Sequence, residues 1–149
     1  MKLLSKNKKA YRDYEVLETL EAGVVLKGSE VKAIRNGGVN LTDGFVRVIR
    51  SEVFLFGCHI SPYSHSSTDA HDPVREKKLL LHRKEIDKLA AKIGAKGLTA
   101  VPTKFYFKGG RCKVEIALGK GKKEHDKRED IKKRDAERDM KRFMKVKDR

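Results

Sequence analysis

The 149-residue chain has no tryptophan, only two cysteines and three prolines, and no apolar run near the roughly 18 residues that a membrane-crossing helix needs. Cys58 and Cys112 stand alone, outside any CxxC pair, which excludes a disulfide framework or a zinc ribbon and suits a reducing compartment. The opening MKLLSKNKKA lacks the apolar centre of a signal peptide, so cytoplasmic residence is expected. Acidic residues are scarce relative to basic ones. With 36 Lys/Arg against 21 Asp/Glu the formal net charge is +15 and the sequence pI about 9.9, a balance that points to a polyanionic partner, nucleic acid before membrane.

The charge is concentrated but not confined at the end. Residues 120–149 hold 14 Lys/Arg and 8 Asp/Glu with little to bury, so this segment is expected to be a flexible tail until a polyanion receives it. A helix drawn through it puts Ala136, Met140, Phe143 and Met144 on one side, a weak stripe that is marginal in water alone. Residues 1–12, with Lys2, Lys6, Lys8, Lys9 and Arg12, read as a basic N-terminal arm. Residues 13–119 are left as the one body apolar enough for a core.

Within that body the pattern is mainly strand. Tyr14, Val16, Leu17, Leu20 and Val24 to Leu26 make one strand, interrupted at Ala22-Gly23 where a bend or bulge is expected. Ser29 is a candidate cap for a short helix carrying Val31 and Ile34, ended by Gly37-Gly38. Two apolar runs, 45–50 and 53–56, flank Ser51-Glu52 as a hairpin. Residues 59–75, with Pro62 and Pro73, read as a long loop. Ile86, Leu89, Ala90 and Ile93 then recur at helical spacing, and two strands, 98–107 and 112–118, close the body around Lys108-Gly109-Gly110-Arg111. About six short antiparallel strands with two or three helices predict a small OB-like β-barrel.

Chemistry-bearing motifs are few. His65, Asp69, His71 and Asp72 are metal-ligand types, but their spacing in a polar loop fixes no coordination geometry, and turn-forming carboxylates account for them. No nucleophile elbow, P-loop or HExxH occurs; neither catalysis nor a cofactor or metal is expected. Phe105, Tyr106 and Phe107 alternate on one strand, and with Lys104 and Lys108 on the side of Tyr106 that side is expected to face outward, a candidate surface for base stacking.

Five blocks in order, Asn7-Lys8-Lys9-Ala10, EAGVVLKGSEVKAIRNG at 21–37, HISPY at 59–63, HDPVREKKLLLHRKEI at 71–86 and GKGKKEHDKRE at 119–129, closely resemble the SsrA-binding protein family, also called small protein B. The resemblance covers nearly the whole chain. It implies an OB-type barrel, monomeric and without catalytic activity, that binds the tRNA-like domain of transfer-messenger RNA and brings it to stalled ribosomes in trans-translation. Partners implied are that RNA, the small-subunit decoding centre and message channel with their ribosomal RNA, and, indirectly through the alanylated RNA, elongation factor Tu. An ordinary basic ribosomal or RNA-chaperone protein is the rival reading of the same charge and barrel.

Carried over position by position, the resemblance implies RNA contacts at Glu21, Leu80 and Lys113. For Glu21 a base or ribose donor is a better partner than phosphate, and for Leu80 a supporting core position is an equal reading. In the tail it implies ribosome contacts, helical once bound: His125, Asp126, Lys127 and Arg128 at the decoding centre, Phe143 and Met144 near the end, and Lys120, Lys122 and Lys123 as general attraction. Two positions depart from the family's habit, Tyr11 in place of a basic residue and Gly44 in place of serine.

Overall fold

The computed structural model of the protein describes residues 1–62 and 72–122, together with Arg134, Ala136 and Arg138. The N-terminal residues, read from sequence as an aperiodic arm, contain a strand and a helical turn. Strand β1 (Lys2–Lys6) and helix α1 (Lys8–Asp13) are joined by Asn7, which is buried. Its Oδ1 accepts from the Ala10 N–H at 3.1 Å, while its Nδ2 donates to the carbonyls of Leu41 and Pro102 at 3.0 and 2.9 Å. One amide thus caps α1 and ties it to one distant loop and one distant strand.

Strand β2 (Tyr14–Val24) is the hub. It is followed by α2 (Gly28–Arg35), β3 (Val39–Asn40), the hairpin β4 (Phe45–Ile49) and β5 (Glu52–Phe56), β6 (His59–Ile60), β7 (Lys77–Leu80), α3 (Arg83–Ala95), β8 (Thr99–Lys108) and β9 (Arg111–Gly121). Seven strands form an antiparallel sheet in the order β1-β8-β9-β2-β7-β5-β4, and β3 pairs with β6 separately. The sheet curls until β4 comes alongside β8 with no ladder between them, an OB-like barrel left open at one seam. Gly44 sits at that seam. A Cβ there would lie 2.6 Å from Pro102 Cγ, so the missing side chain lets the two edges approach.

Three local expectations are revised. Ser29 does not cap α2; the helix starts at Gly28 with Lys27 in the cap position, two residues earlier, and Glu30 Oε1 accepts the Lys27 N–H at 2.8 Å, a polar group at the third helical position closing the first turn. The hairpin turns at Arg50-Ser51, both at positive φ (51° and 64°), the twist that two-residue hairpins require. Without glycine or asparagine to mark it, the turn reads one residue too late in the sequence. The stretch read as a loop from residue 59 begins as β6, held by pairing with β3.

The core lies between the concave face of the sheet and the helices α2 and α3. Ile34 and Leu89 bring the helices in, and Leu55, Leu79, Phe105, Ile116 and Leu118 line the strands, all essentially inaccessible. Helix α3 buries only Leu89 fully, with Ile86 and Ile93 packed at its margin, the narrow apolar stripe its spacing predicts. Beneath α2 lies a group that hydropathy does not predict. Lys77 and Glu30 both have 0% exposed side chains, with Lys77 Nζ 3.9 Å from Glu30 Oε2, and Arg75 bridges to Glu30 Oε1 at 2.5 Å. Lys77 Nζ also donates to the carbonyls of Arg75 and Cys58 at 2.6 and 3.3 Å. Burial lowers the Lys77 pKa. Burial pushes Glu30 up, but the hydrogen bonds from Arg75 and the Lys27 backbone prevail and its pKa is lowered. Each buried charge thus faces an opposite one inside, Lys77 and Arg75 on the two oxygens of Glu30.

Candidate nucleic-acid interface

The register of three strands assembles the candidate site. Gly23, near the end of β2, is opposite Lys113 on β9 and opposite Leu80 on β7, so all three positions fall on one row across the outer face of the sheet. Glu21, two residues back on β2, points to the same side. Gly23 is the low point of this row. A Cβ there would sit 3.3 Å from Leu80 Cβ, so glycine lets Leu80 lie over the strand and leaves a cleft of about 660 Å³ whose lining includes Glu21, Leu80 and Lys113.

Leu80 is not a core residue. The β7 pattern is buried-exposed-buried-exposed, Leu79 faces inward, and Leu80 is 55% exposed. The remaining lining includes residues the motifs did not single out: Arg35 from the last turn of α2, Arg111 and Cys112 from the start of β9, Phe107, and His82 with Glu85 from the entry to α3. Arg111 was legible as the basic end of the Lys108–Arg111 turn. Arg35 lay within the block at 21–37 without a role of its own, since only the packing of α2 brings it to the rim. Burial pushes the Cys112 thiol up to about 11, with Arg35 pulling the other way, so this sulfur is a protonated wall group and not a nucleophile.

Glu21 is held in place rather than left free. The Tyr106 hydroxyl donates to its Oε2 at 2.5 Å and Lys108 Nζ lies at 3.4 Å from the same oxygen. The Tyr106 bond lowers the Glu21 pKa against a smaller opposing effect of desolvation, with Lys108 and Lys113 adding to the lowering. Tyr106 itself is only 5% exposed, and burial followed by its bond to Glu21 raises its pKa. The expectation of an outward base-stacking Tyr106 is therefore corrected. It does lie on the face opposite Phe105, as alternation requires, but its ring is covered and its hydroxyl orients the Glu21 carboxylate. On the neighbouring row Glu115 is met by Thr103 Oγ1 at 2.8 Å and by Lys104 Nζ at 3.8 Å. Glu21 and Glu115 are directly opposite each other on β2 and β9, and separate partners offset their repulsion.

Of the tail residues, Lys120 is exposed near the end of β9, and Lys122 donates its N–H to the Asp13 carbonyl at 2.8 Å and its Nζ to the Tyr11 carbonyl at 3.4 Å. The strand thus runs two residues past the boundary expected at 119. Lys123, His125, Asp126, Lys127, Arg128, Phe143 and Met144 lie outside the described residues, as do His65, Asp69 and His71. At Arg134, Ala136 and Arg138 the chain is helical and exposed. Among the described residues there is no group of His, Cys, Asp and Glu placed to hold a metal, and no helix long and apolar enough to cross a membrane.

An open OB-like barrel bearing a cleft part apolar, part cationic, with one oriented carboxylate, has the architecture of a small nucleic-acid-binding barrel. The profile of the SmpB protein family matches residues 4–146, and the chain belongs to that family. It is 54% identical over 140 residues to the SsrA-binding protein of Persephonella marina, covering 94% of this chain and 92% of that one. It is 50% identical over 144 residues to the SsrA-binding protein of Enterococcus faecalis, covering 97% and 94%. Its fold is similar to a chain in a solved structure described as "tmRNA-SmpB: a journey to the center of the bacterial ribosome", with TM-score 0.68 and 46% identity over 80% of this chain and 85% of that chain.

Proposed function

We propose that the protein binds transfer-messenger RNA through the cleft of its barrel and delivers it to stalled ribosomes for trans-translation, in the cytoplasm and without catalysing a reaction itself. The observation that carries this reading is the convergence of Glu21, Leu80 and Lys113 on one outer face around Gly23, three residues far apart in sequence and chemically unlike. Each has a separate task in holding a folded RNA. Lys113, Arg111 and Arg35 attract phosphates. Leu80 offers an exposed apolar surface to a base or ribose face. Glu21, kept ionised by Tyr106 and Lys108, accepts from base amino or ribose hydroxyl donors, the groups that separate one RNA from another and RNA from DNA.

In this reading the barrel, residues 1–122, grips the RNA, and the basic tail beyond it enters the vacant decoding site and message channel, with His125, Asp126, Lys127 and Arg128 at the decoding centre and Phe143 and Met144 further along. Lys120, Lys122 and Lys123 supply the attraction at the junction. Elongation factor Tu is engaged only through the alanylated RNA. The decisive experiment is competition binding near physiological salt, the tRNA-like domain of transfer-messenger RNA against ordinary tRNA of similar length. A preference of about a hundredfold, roughly 2.7 kcal/mol, is expected; equal binding would make the protein a general basic RNA binder.

A further inference from the structure

We propose that the outer face of β4, β5 and β7 is a second contact surface for the same RNA, continuous with the cleft, on which an unpaired nucleotide stacks among Phe45, Phe54 and Phe56. This inference rests on the reading of the cleft given above.

An antiparallel sheet with one face on the core usually turns polar residues outward. Here the inner positions are as expected, with Val46, Val53 and Leu55 buried. The outer positions are not. Phe45 is 36% exposed and Phe54 and Phe56 are half-buried, so three of the chain's six phenylalanines stand on one hairpin face. Phe45 and Phe56 are opposite each other and stacked, with ring centroids 5.4 Å apart and 13° between planes, and Phe54 is tilted 53° to Phe56 at 6.4 Å. The guanidinium of Arg47 lies over the Phe45 ring at 5.0 Å.

The register connects this cluster to the cleft. Phe54 is opposite Arg47 on one side and Lys78 on the other. Lys78 accepts the Val25 N–H at its carbonyl and lies two residues before Leu80 on β7, hence on the same face. Val25, Leu80, Ile49 and Phe45 are four of the eight large apolar residues that are exposed among those described, and all four are on this side of the sheet. An apolar strip of this kind invites a partner.

The flanking charge selects nucleic acid over an apolar protein surface. Arg47 and Lys78 bracket Phe54, and Lys78 pairs with a half-exposed Glu52 at 3.5 Å, a surface pair weak enough to be exchanged for a phosphate. Aromatic rings and guanidinium planes between cations are the chemistry that holds splayed-out bases. A fully paired duplex offers no base face to such a platform, so the occupant is unpaired.

The test uses the full-length protein and the tRNA-like domain of transfer-messenger RNA. Ultraviolet cross-linking of the wild-type complex, mapped by mass spectrometry, should place base adducts on Phe45, Phe54 or Phe56. Phe54→Leu and Phe56→Leu, which keep apolar bulk, should weaken binding about five- to twentyfold while leaving its salt dependence unchanged, because stacking releases no counterions. Lys113→Ala serves as the cleft control and should weaken binding with a shallower salt dependence. If Lys113→Ala weakens binding while both phenylalanine variants bind like the wild type and no adducts form, the second surface is refuted and the cleft stands. If the phenylalanine variants bind this RNA normally but lose association with ribosomes, the face is a ribosome dock and the proposal is equally overturned. If Lys113→Ala has no effect while the phenylalanine variants are weakened, the stacking surface is supported and the reading of the cleft fails.

Discussion

The Tyr106 hydroxyl donates to Glu21 Oε2 at 2.5 Å, linking a covered ring on β8 to the carboxylate at the edge of the cleft. The bond lowers the Glu21 pKa below its ordinary value of 4.5. A carboxyl group whose pKa is depressed on folding contributes stability above its unfolded pKa, and that contribution is lost as pH falls through the folded value. Tyr106→Phe should therefore cost about 1 kcal/mol at pH 7 in thermal or urea unfolding, a figure reduced because Glu21 is partly exposed. The gap between the two proteins should shrink as pH drops below the unfolded carboxylate range. A gap that stays constant down to acid pH would mean the ring's packing, not the bond, accounts for the loss.

The buried group under α2 gives a prediction of another kind. Lys77 and Glu30 are both wholly inaccessible, and removing Lys77 leaves Glu30 Oε2 without its cation, since Arg75 is held on Oε1. Lys77→Met should destabilise by about 3–5 kcal/mol, whereas Lys77→Met combined with Glu30→Met should recover part of that loss. A double-mutant cycle by urea denaturation measures it. Additive losses would show that Arg75 alone satisfies Glu30 and that Lys77 acts through its bonds to the Arg75 and Cys58 carbonyls.

How much of this was legible in the sequence differs by element, for physical reasons. Alternation and helical spacing located β2, the β4–β5 hairpin, α3, β8 and β9, because their faces differ sharply in polarity. Residues 2–6 gave no such contrast, since an edge strand packs little and reads as a charged arm. The turn at Arg50-Ser51 carried no glycine or asparagine to mark it. The Lys77–Glu30 pair was invisible because both residues look like surface charges until the fold closes over them. The candidate site was legible only in part. Glu21, Leu80 and Lys113 came from resemblance, but their convergence depends on strand register, and Arg35 and the outward phenylalanines depend on which face each strand turns to the core.

Gly23 tests whether the cleft's shape matters apart from its charge. It has no positive φ among the glycines that adopt one, so its backbone does not demand glycine, and the space above it is what a side chain would change. Gly23→Val should fill the floor between Leu80 and Lys113 and weaken binding of the tRNA-like domain by about tenfold, roughly 1.4 kcal/mol, without altering the salt dependence. Binding competition at two salt concentrations measures it, with thermal unfolding as a check that the sheet is intact. Undiminished affinity would place the RNA contact elsewhere on the barrel.

The division of labour between barrel and tail is tested by truncation, and the structure determines where to cut. Ending the chain after Gly119 would remove Lys120 and Gly121 from β9, where they pair with Glu15 and Tyr14, and would delete the Lys122 bonds to α1. Such a protein confounds a damaged barrel with a missing tail. A chain ending at Lys122 keeps every described contact of the sheet, so it should unfold at nearly the wild-type temperature and bind transfer-messenger RNA within a factor of about three at moderate salt, the small deficit reflecting lost cationic attraction. Peptide tagging on stalled ribosomes should nevertheless fall to background, because the segment carrying His125 to Arg128 and Phe143-Met144 is gone. Tagging by this truncated protein at more than a tenth of the wild-type level would refute the tail's role. Loss of RNA binding together with tagging would instead show that the tail takes part in gripping the RNA itself.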